Sequence, residues 1–350
     1  MRLTPTVARR ISGYVLDPLF LEHDEPTHPE NRRRLEHIAR YLEESGLSAR
    51  LRRLAARDAS VEEVFRVHGP AYVEHVRASA AGTISWLDAD TYLGPHSYEA
   101  AIRAAGGLLS AIDAVMRGEC SNAFALVRPP GHHAVANRAM GFCLFNNAAI
   151  AARYALRSLG LERVLIVDFD LHHGNGTQDA FYEDPSVLYF STHQYPFYPG
   201  TGHWQETGRG AGDGYNVNVP LPAGVGDQGY ARVFDEILVP LAHRYRPQMI
   251  LVSAGYDAHW ADPLGMELLS VAGFSTLTGT LVGLADELCE GRLVLTLEGG
   301  YNLKALAFGV GATLMTMLGD SSIFDPLGKP HQQEENIDEI IAAVKHLHGL

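Results

Sequence analysis

Short apolar runs alternate with helical segments from residue 123 onward, and this alternation constrains the fold more than any other feature. Each run has the length of a strand and is nearly all Val, Leu, Ile or another apolar residue. Strands that are buried on both faces of a parallel sheet have this composition. We therefore predict an α/β fold with a mostly parallel, multi-stranded sheet flanked by helices on both faces. The predicted strands are Ala123–Val127, Val164–Val167, Val187–Phe190, Met249–Val252 and Leu293–Leu297, and the predicted helices between them are Asn147–Leu159, Gln228–Tyr245 and Ser270–Cys289.

The N-terminal third is predicted to be mostly helical. Apolar residues recur at helical spacing in Asn31–Ser45 and in the Ala-rich segment Ser97–Arg117, which Gly118 follows. The 350 residues contain no internal repeat, low-complexity tract or long linker. A chain of this length can bury roughly three quarters of its unfolded surface. We therefore predict a single domain over residues 1–350.

Charge and composition exclude several classes of partner. The formal net charge of −13 argues against direct nucleic-acid binding, which needs a basic surface. The charge is compatible with cationic substrates, although solubility is the simpler interpretation. No apolar run approaches the roughly 20 residues that span a bilayer, and the N-terminus lacks a signal-peptide core. The three cysteines, Cys120, Cys143 and Cys289, form no short-spaced pair. We predict a cytoplasmic protein without membrane contact.

Polar side chains and glycines follow each of the five predicted strands. Open α/β sheets bind ligands outside the carboxyl ends of their strands. One such end would mean little, but five indicate a single assembled site. The sequences are RPPGHH at 128–133, DFDLHHGNG at 168–176, STH at 191–193, SAGYD at 253–257 and EGGY at 298–301.

The spacing Asp168-x-Asp170-x-His172 indicates a metal site. Alternate side chains of an extended chain point to the same side, so Asp170 and His172 can converge on one ion. Asp257, at another strand end, can complete a set of three ligands. Such a set leaves a position open for water and a substrate carbonyl, as catalytic zinc sites do. Taken singly, any of these aspartates is more simply a turn residue or a helix cap.

The adjacent residues His132 and His133 are either two further metal ligands or a pair that handles protons. A histidine that titrates near pH 7 can accept a proton from water and return it to a leaving amine. Asp168 and Asn175 are candidate partners for the two rings, and partners of different charge would give the rings different basicity. An ordinary polar loop is the simpler reading of the pair alone.

Tyr301 follows two glycines, which let the main chain turn sharply. A phenol beside a metal ion can donate a hydrogen bond to the oxyanion of a tetrahedral intermediate. A buried structural tyrosine is the alternative.

Eight segments between residues 28 and 303 form a highly specific combination. They are HPENRRR, RPPGHHA, GFCLFNNAAIAA, DFDLHHGNGTQ, FSTHQYPFYPGTG, NVNVPL, SAGYDAHWADPLG and LEGGYNL. Together they resemble the histone deacetylase superfamily, which includes bacterial deacetylase-like amidohydrolases, acetoin-utilisation proteins and acetylpolyamine amidohydrolases. The forms PPGHHA and HHGNGTQ are similar to class II members.

The resemblance implies an arginase/deacetylase fold with a zinc ion held by Asp170, His172 and Asp257. Fe²⁺ is the alternative ion, because one imidazole and two carboxylates do not distinguish the two. Tyr301 matches the tyrosine that stabilises the transition state.

The resemblance also assigns the tandem histidines. It implies that His132 pairs with Asp168, and that His133 pairs with Asn175 and acts as the general base and acid.

Four residues match the channel that receives the acyl-lysine side chain in this family. Phe142 and Tyr198 match its two aromatic walls, with Gly141 beside them. The second wall is commonly Phe, so Tyr198 is a departure. Leu264 matches a gatekeeper position at which polyamine-selective relatives can carry Glu.

Two further positions concern the ends of the channel. Arg34 resembles an arginine that lines an internal product cavity. No residue clearly matches the rim aspartate that holds the substrate backbone in some members; Asp88 and Asp90 lie in roughly the right region.

The resemblance implies two potassium sites. One would use Asp168, Asp170, His172, Ser191 and Thr192. The second would use Phe181, Asp184, Val187 and Tyr215.

The predicted function is hydrolysis of an acetyl-type amide on a lysine side chain, with an acetylated peptide or protein as substrate. An acetylated polyamine or another small acylated amine is the nearest alternative. An arginase-like ureohydrolase with two manganese ions would need further bridging ligands, and an acyl-group sensor would lack a catalytic residue. Assembly into a homo-oligomer is left open.

Overall fold

The computed structural model describes residues 10–80 and 82–350. The strands are β1 (Ser12–Val15), β2 (Arg52–Leu54), β3 (Ser85–Trp86), β4 (Tyr92–Leu93), β5 (Asn122–Ala125), β6 (Val164–Asp168), β7 (Val187–Gln194), β8 (Asn216–Leu221), β9 (Met249–Ala254) and β10 (Leu293–Leu297). Eight of them form one sheet in the order β2-β1-β5-β10-β9-β6-β7-β8. Every pairing within this sheet is parallel. A separate hairpin pairs β3 with β4 antiparallel.

Helices cover both faces of the sheet. They are α1 (Arg33–Glu44), α2 (Val61–Val64), α3 (Pro70–Ser79), α4 (Ser97–Met116), α5 (Asn147–Ser158), α6 (Asn175–Phe181), α7 (Asp227–Val233), α8 (Val239–Tyr245), α9 (Val271–Leu288), α10 (Leu303–Leu318) and α11 (Asp338–His348). A π-helical segment joins α7 to α8. Helices α4 and α5 pack together on one side, while α1, α10, α9 and α7 pack in sequence on the other. The predicted parallel sheet with flanking helices is confirmed.

The core lies in the central strands. Every residue of β5, β6, β7, β9 and β10 is buried, because helices cover both of their faces. Since these strands are parallel, their carboxyl ends lie along one edge of the sheet. That edge carries the polar loops.

Three strands of the eight-stranded sheet and both strands of the hairpin, β3 and β4, were not predicted. The N-terminal third is predicted to be mostly helical, with no strand assigned there, but β1 and β2 extend the sheet at one edge. Strand β8 forms the other edge. Strand β2 is only three residues long and exposes Arg52 and Arg53, so it lacks the apolar run on which the prediction depended. Strand β8 alternates Asn with Val and is nevertheless buried throughout.

A buried carboxylate, Glu30, joins the start of α1 to the loop after β5. It pairs with Arg34 Nη1 at 3.0 Å and with Arg128 Nη2 at 2.8 Å, and all three side chains have no exposed surface. Against the cost of burial, the charges of Arg128 and Arg34 hold the pKa of Glu30 well below its usual range. The carboxylate is therefore ionised and is the counter-charge that the two buried guanidinium groups share.

Glu30→Ala is expected to lower the free energy of unfolding by about 3–5 kcal/mol, because it leaves two guanidinium groups buried without a counter-charge. Urea unfolding measures this loss. The control is Glu36→Ala, which breaks an exposed pair with Arg32 on the same helix and should cost less than about 1 kcal/mol. Equal losses in the two variants would contradict this account of the buried cluster.

Candidate metal centre and active site

Loops that follow β5, β6, β7, β9 and β10 line one pocket. It lies at the edge of the sheet where open α/β folds bind ligands. The structure thus brings together the loops after all five predicted strands. The lining residues are Asp90, Pro130, His132, His133, Gly141, Phe142, Cys143, His172, Phe197, Tyr198, Leu264, Gly299 and Tyr301.

Asp170, His172 and Asp257 converge beside this pocket. One ligand atom of each lies within 4.8 Å of the other two. His172 Nδ1 is 3.3 Å from Asp170 Oδ1 and 3.1 Å from Asp257 Oδ2. The carboxylates are buried, whereas the His172 side chain is 12% exposed and lines the pocket. This donor set fits a three-ligand catalytic zinc site, which keeps a coordination position for substrate.

Main-chain N–H groups hold both carboxylates in place. Gly299 N donates to Asp170 Oδ2 at 2.7 Å, and Leu171 N donates to Asp257 Oδ1 at 3.0 Å. The other oxygen of each carboxylate is the one near His172. Residue 299 must be glycine here, because a Cβ would lie 2.3 Å from Asp257 Oδ2. The loop after β10 therefore orients Asp170, and the loop after β6 orients Asp257.

The electrostatics of the three ligands also fit a cation. Burial lowers the pKa of His172, but hydrogen bonds and charge from Asp170 and Asp257 raise it to about 9. The two carboxylates therefore favour positive charge where the three ligand atoms meet. A divalent ion would satisfy the same carboxylates and take the place of the imidazole proton.

His132 and His133 lie side by side, with ring centroids 4.0 Å apart, and each has its own partner. His132 Nδ1 is 3.1 Å from Asp168 Oδ2, whereas His133 Nδ1 is 2.9 Å from Asn175 Oδ1. These are the two pairings that the family resemblance implied. A partner on one ring nitrogen fixes the orientation and the tautomer of the ring.

The two histidines differ in basicity. Although burial lowers the pKa of His132, the charges of Asp168 and Asp170 raise it to about 10. Burial and the neighbouring His132 and His172 lower the pKa of His133 well below 6.5. At neutral pH His132 is therefore cationic, while His133 is neutral and keeps one ring nitrogen as a proton acceptor.

Glu298, which follows β10, holds the main chain of the histidine loop. It is fully buried, and its Oε2 accepts hydrogen bonds from Gly131 N at 2.7 Å and His132 N at 3.2 Å. Burial raises the pKa of Glu298 to about 7 despite the nearby charge of His132. Glu298 therefore links the loop after β5 to the strand end that carries Tyr301.

Tyr301 presents a protonated phenol to the pocket. Burial and the charge of Asp257 raise its pKa well above 10, so the hydroxyl can donate a hydrogen bond at neutral pH. The guanidinium of Arg34 lies over the phenol ring, with Cζ 5.2 Å from the centroid. Arg34 Nε also donates to Gly300 O at 2.8 Å. The loop that carries Tyr301 therefore rests on Arg34.

Aromatic rings form the walls of the pocket next to the histidines. The ring of Tyr198 meets His133 edge to face at 5.2 Å, and the ring of Phe142 meets Tyr301 at 5.8 Å. Residue 141 must be glycine, because its φ is +55° and a Cβ would lie 2.3 Å from His133 Cδ2. The four predicted channel residues all line the pocket, namely Gly141, Phe142, Tyr198 and Leu264.

Of the two acidic candidates for the rim, Asp90 lines the pocket. Asp88 instead shapes the turn, since its Oδ1 accepts hydrogen bonds from Asp90 N at 3.0 Å and Thr91 N at 2.7 Å. Thr91 Oγ1 in turn accepts from Phe142 N at 3.1 Å. The turn therefore connects Asp90 to the channel wall.

The sequence profile of the histone deacetylase domain matches residues 28–317. The chain belongs to the histone deacetylase family. This family member is 44% identical over 313 residues to a probable deacetylase of Archaeoglobus fulgidus, covering 88% of this chain and 85% of the relative. It is 40% identical over 319 residues to the histone deacetylase-like amidohydrolase of Pseudomonas aeruginosa, covering 91% of this chain and 83% of the relative.

A solved structure agrees with the family assignment. The crystal structure of the HDA15 HD domain matches this histone deacetylase family member with a TM-score of 0.89 and 37% identity, covering 97% of this chain and 95% of that one. The predicted arginase/deacetylase fold is thereby confirmed.

The first predicted potassium set lies around the end of β6. Ser191 pairs with Asp168 in the register of β7 and β6, and Ser191 Oγ lies 2.9 Å from His193 Nδ1. Within the described residues, Thr192 Oγ1 is buried without a hydrogen-bond partner. Asp170 and His172, the other members, are the metal-site residues described above. Potassium binding here stays a prediction.

The second predicted potassium set lies between α6 and β7. Asp184 N donates to Phe181 O at 3.0 Å, and Val187 N donates to Asp184 O at 3.4 Å. The Asp184 carboxylate forms an ion pair with Arg153. Tyr215 accepts a hydrogen bond on its carbonyl from the amide of residue 189. These four residues lie close together, and potassium binding by them also stays a prediction.

Several residues that shape the site had no predicted role. The ring of Phe197 stacks on His172 at 5.7 Å, and Tyr189 donates from its hydroxyl to Asp168 Oδ2 at 3.0 Å. Glu298 and Asp262 stand in segments that carry the family resemblance. Their position in those segments was a signal, but each of them also binds main-chain groups of another loop.

Within residues 10–80 and 82–350, no helix has the length and apolar composition needed to cross a bilayer. The single domain over residues 1–350, the cytoplasmic location and the state of assembly stay predictions.

Proposed function

We propose that this protein hydrolyses acetyl-type amides on the lysine side chains of peptides or proteins. The observation that carries the proposal is one pocket around which an Asp-His-Asp ligand set, a tandem histidine pair and a tyrosine are assembled. Amide hydrolysis needs a polarised carbonyl, a base for water, an acid for the amine and a donor to the oxyanion. The names of the two relatives, a deacetylase and an amidohydrolase, support the reaction class.

Asp170, His172 and Asp257 would hold one zinc ion, with Fe²⁺ as the alternative. When bound, the ion supplies Lewis acidity that polarises the substrate carbonyl and acidifies the attacking water. The chain contributes a rigid arrangement of ligands, because main-chain donors fix both carboxylates.

His133 is the base that takes a proton from the attacking water. It is neutral at pH 7, and its Nδ1–H group donates a hydrogen bond to Asn175 Oδ1. Nε2 is therefore free to accept a proton from the attacking water. The proton then passes to the nitrogen of the leaving amine as the amide C–N bond breaks. His132, which Asp168 holds in its cationic form, is the second proton donor.

Tyr301 stabilises the negative charge that develops on the carbonyl oxygen. Its phenol stays protonated at neutral pH, and the residue lines the pocket. A fixed donor of this kind is stronger in a partly dehydrated site than in water, because the local dielectric is low.

The channel favours a substrate with a long apolar stem. The stem of an acyl-lysine would lie between the rings of Phe142 and Tyr198, and Leu264 adds an apolar side chain to the same pocket. Asp90 is placed to accept hydrogen bonds from the main chain of a peptide at the rim. An acetylated polyamine, the rival substrate, would bring a distal ammonium group next to the apolar Leu264.

The direct test compares kcat/KM for an acetyl-lysine peptide with that for an acetylated diamine, using protein of defined metal content. We expect the peptide to have the larger value. A larger value for the diamine would replace this proposal with the small-molecule alternative. Failure to hydrolyse either substrate would refute the proposed hydrolase.

Leu264→Glu is expected to raise kcat/KM for the acetylated diamine about tenfold relative to Leu264→Gln, because a carboxylate can pair with the distal ammonium. The Glu and Gln side chains have nearly the same shape, so the ratio of the two kcat/KM values reports the effect of the charge alone. Steady-state kinetics with both substrates measures the effect. If Glu and Gln change the diamine kinetics equally, Leu264 does not face the distal end of that substrate.

A further inference from the structure

We infer that Asp262 is a positioning residue that couples the phenol of Tyr301 to the pocket wall at Leu264. The inference rests on the proposed role of Tyr301 as the donor to the oxyanion. It assigns a task to a buried carboxylate that neither binds the metal nor touches the reacting atoms.

Each carboxylate oxygen of Asp262 serves a different loop. Oδ2 accepts hydrogen bonds from Tyr301 N at 2.7 Å and Asn302 N at 2.9 Å, in the loop after β10. Oδ1 accepts from Leu264 N at 3.0 Å, in the loop after β9. The side chain is 6% exposed, so water competes little for these contacts. Hydrogen bonds from main-chain donors to a buried carboxylate are among the stronger ones in proteins.

The loop that carries Tyr301 needs such an anchor. Two glycines precede the tyrosine, and Gly300 has a φ of +118°, so the loop has little intrinsic stiffness. Helix α10 starts directly after it, with Asn302 as the N-cap. Asn302 Nδ2 also donates to Ala261 O at 2.8 Å. The two loops are therefore joined next to the tyrosine by Asp262 and by its neighbour Ala261.

The position of the phenol matters as well as its presence. A misplacement of about 1 Å at a catalytic group can cost on the order of 10²-fold in rate. Leu264 lines the channel. A substrate stem that contacts Leu264 is therefore linked to Tyr301 through the carboxylate of Asp262. Loss of Asp262 should therefore lower kcat more than it raises KM.

The test is a double-mutant cycle between Asp262→Ala and Tyr301→Phe on metal-loaded protein with an acetyl-lysine peptide. Asp262→Ala alone is expected to lower kcat by about 10- to 100-fold, which does not exceed the loss expected for Tyr301→Phe. In the Tyr301→Phe background the same change should cost less than about 3-fold, because the positioned group is already absent. Asp262→Asn keeps one acceptor oxygen and should fall between wild type and alanine; it also replaces the alanine variant if that one does not fold.

Two further measurements separate positioning from a general structural role. Each variant should retain one equivalent of metal, and loss of metal in Asp262→Ala would overturn the inference. Asp227→Ala is the matched control: this carboxylate accepts a hydrogen bond from Ser270 N at 2.8 Å and does not line the pocket. It should lower the unfolding midpoint and leave kcat within about 2-fold of wild type.

The outcomes distinguish the inference from the proposed function. If Tyr301→Phe lowers kcat and the two losses multiply fully in the cycle, Asp262 does not act through the tyrosine and only this inference fails. If Tyr301→Phe leaves kcat unchanged, the proposed role of the phenol fails, and the inference fails with it.

Discussion

Replacing Asp257 by alanine is expected to abolish tight metal binding and to lower kcat/KM for an acetyl-lysine peptide by on the order of 10³-fold or more. The variant removes one of the three ligands and leaves His172 and Asp170 as an incomplete set. Lewis-acid polarisation lowers the barrier by several kcal/mol, and each 1.4 kcal/mol is about a factor of ten in rate. The predicted loss is therefore at or above the upper end of the loss expected for removing one oxyanion donor.

Two readings on the same sample measure this loss: bound metal after dialysis against a weak chelator, and the rate of acetate release. Asp227→Ala serves as the control, since it removes a carboxylate that does not line the pocket and should keep one equivalent of metal. If Asp257→Ala also retains one equivalent, the assigned ligand set is wrong.

Tyr301→Phe is expected to lower kcat by on the order of 10²–10³, as the loss of an oxyanion donor does elsewhere. The change removes only the hydroxyl, so the ring still packs against Phe142 and Arg34. KM should change little, because the hydrogen bond strengthens only as the oxyanion forms. Metal content should stay at one equivalent, which distinguishes this effect from that of Asp257→Ala.

Steady-state kinetics at saturating peptide gives the required kcat. Tyr154→Phe is the matched control, because its hydroxyl donates to Asp113 Oδ1 at 2.7 Å between α5 and α4 and the residue does not line the pocket. It should cost about 1 kcal/mol of stability and leave kcat unchanged. An equal kcat in Tyr301→Phe and wild type would remove the phenol from the mechanism.

The sheet was predictable where its strands are apolar on both faces. The runs that became β6, β9 and β10 differ from their predicted bounds by at most a few residues. Strand β2 was missed because an exposed edge strand with Arg52 and Arg53 resembles a loop. Strand β8 was missed because its buried Asn216 and Asn218 read as polar loop residues, and their Nδ2 groups donate to Gln178, a partner distant in sequence.

The candidate site was predictable to the extent that its chemistry resides in unusual side chains at strand ends. A metal site explains Asp170, His172 and Asp257 better than separate turns or helix caps do, because polar residues follow five strands at once. Asp262 and Glu298 act instead on main-chain N–H groups of other loops, and every residue except proline offers such a group. No side-chain pattern marks their partners, so these contacts emerge only once the loops are placed in space.

Amide hydrolysis in this pocket should depend on one metal ion held by Asp170, His172 and Asp257. Titration of zinc into chelator-treated protein, with acetate release from an acetyl-lysine peptide as the readout, tests it most directly. We expect no hydrolysis without metal and a rate that rises linearly up to one equivalent per chain. Hydrolysis by the metal-free protein, or none at one equivalent of either Zn²⁺ or Fe²⁺, would contradict it.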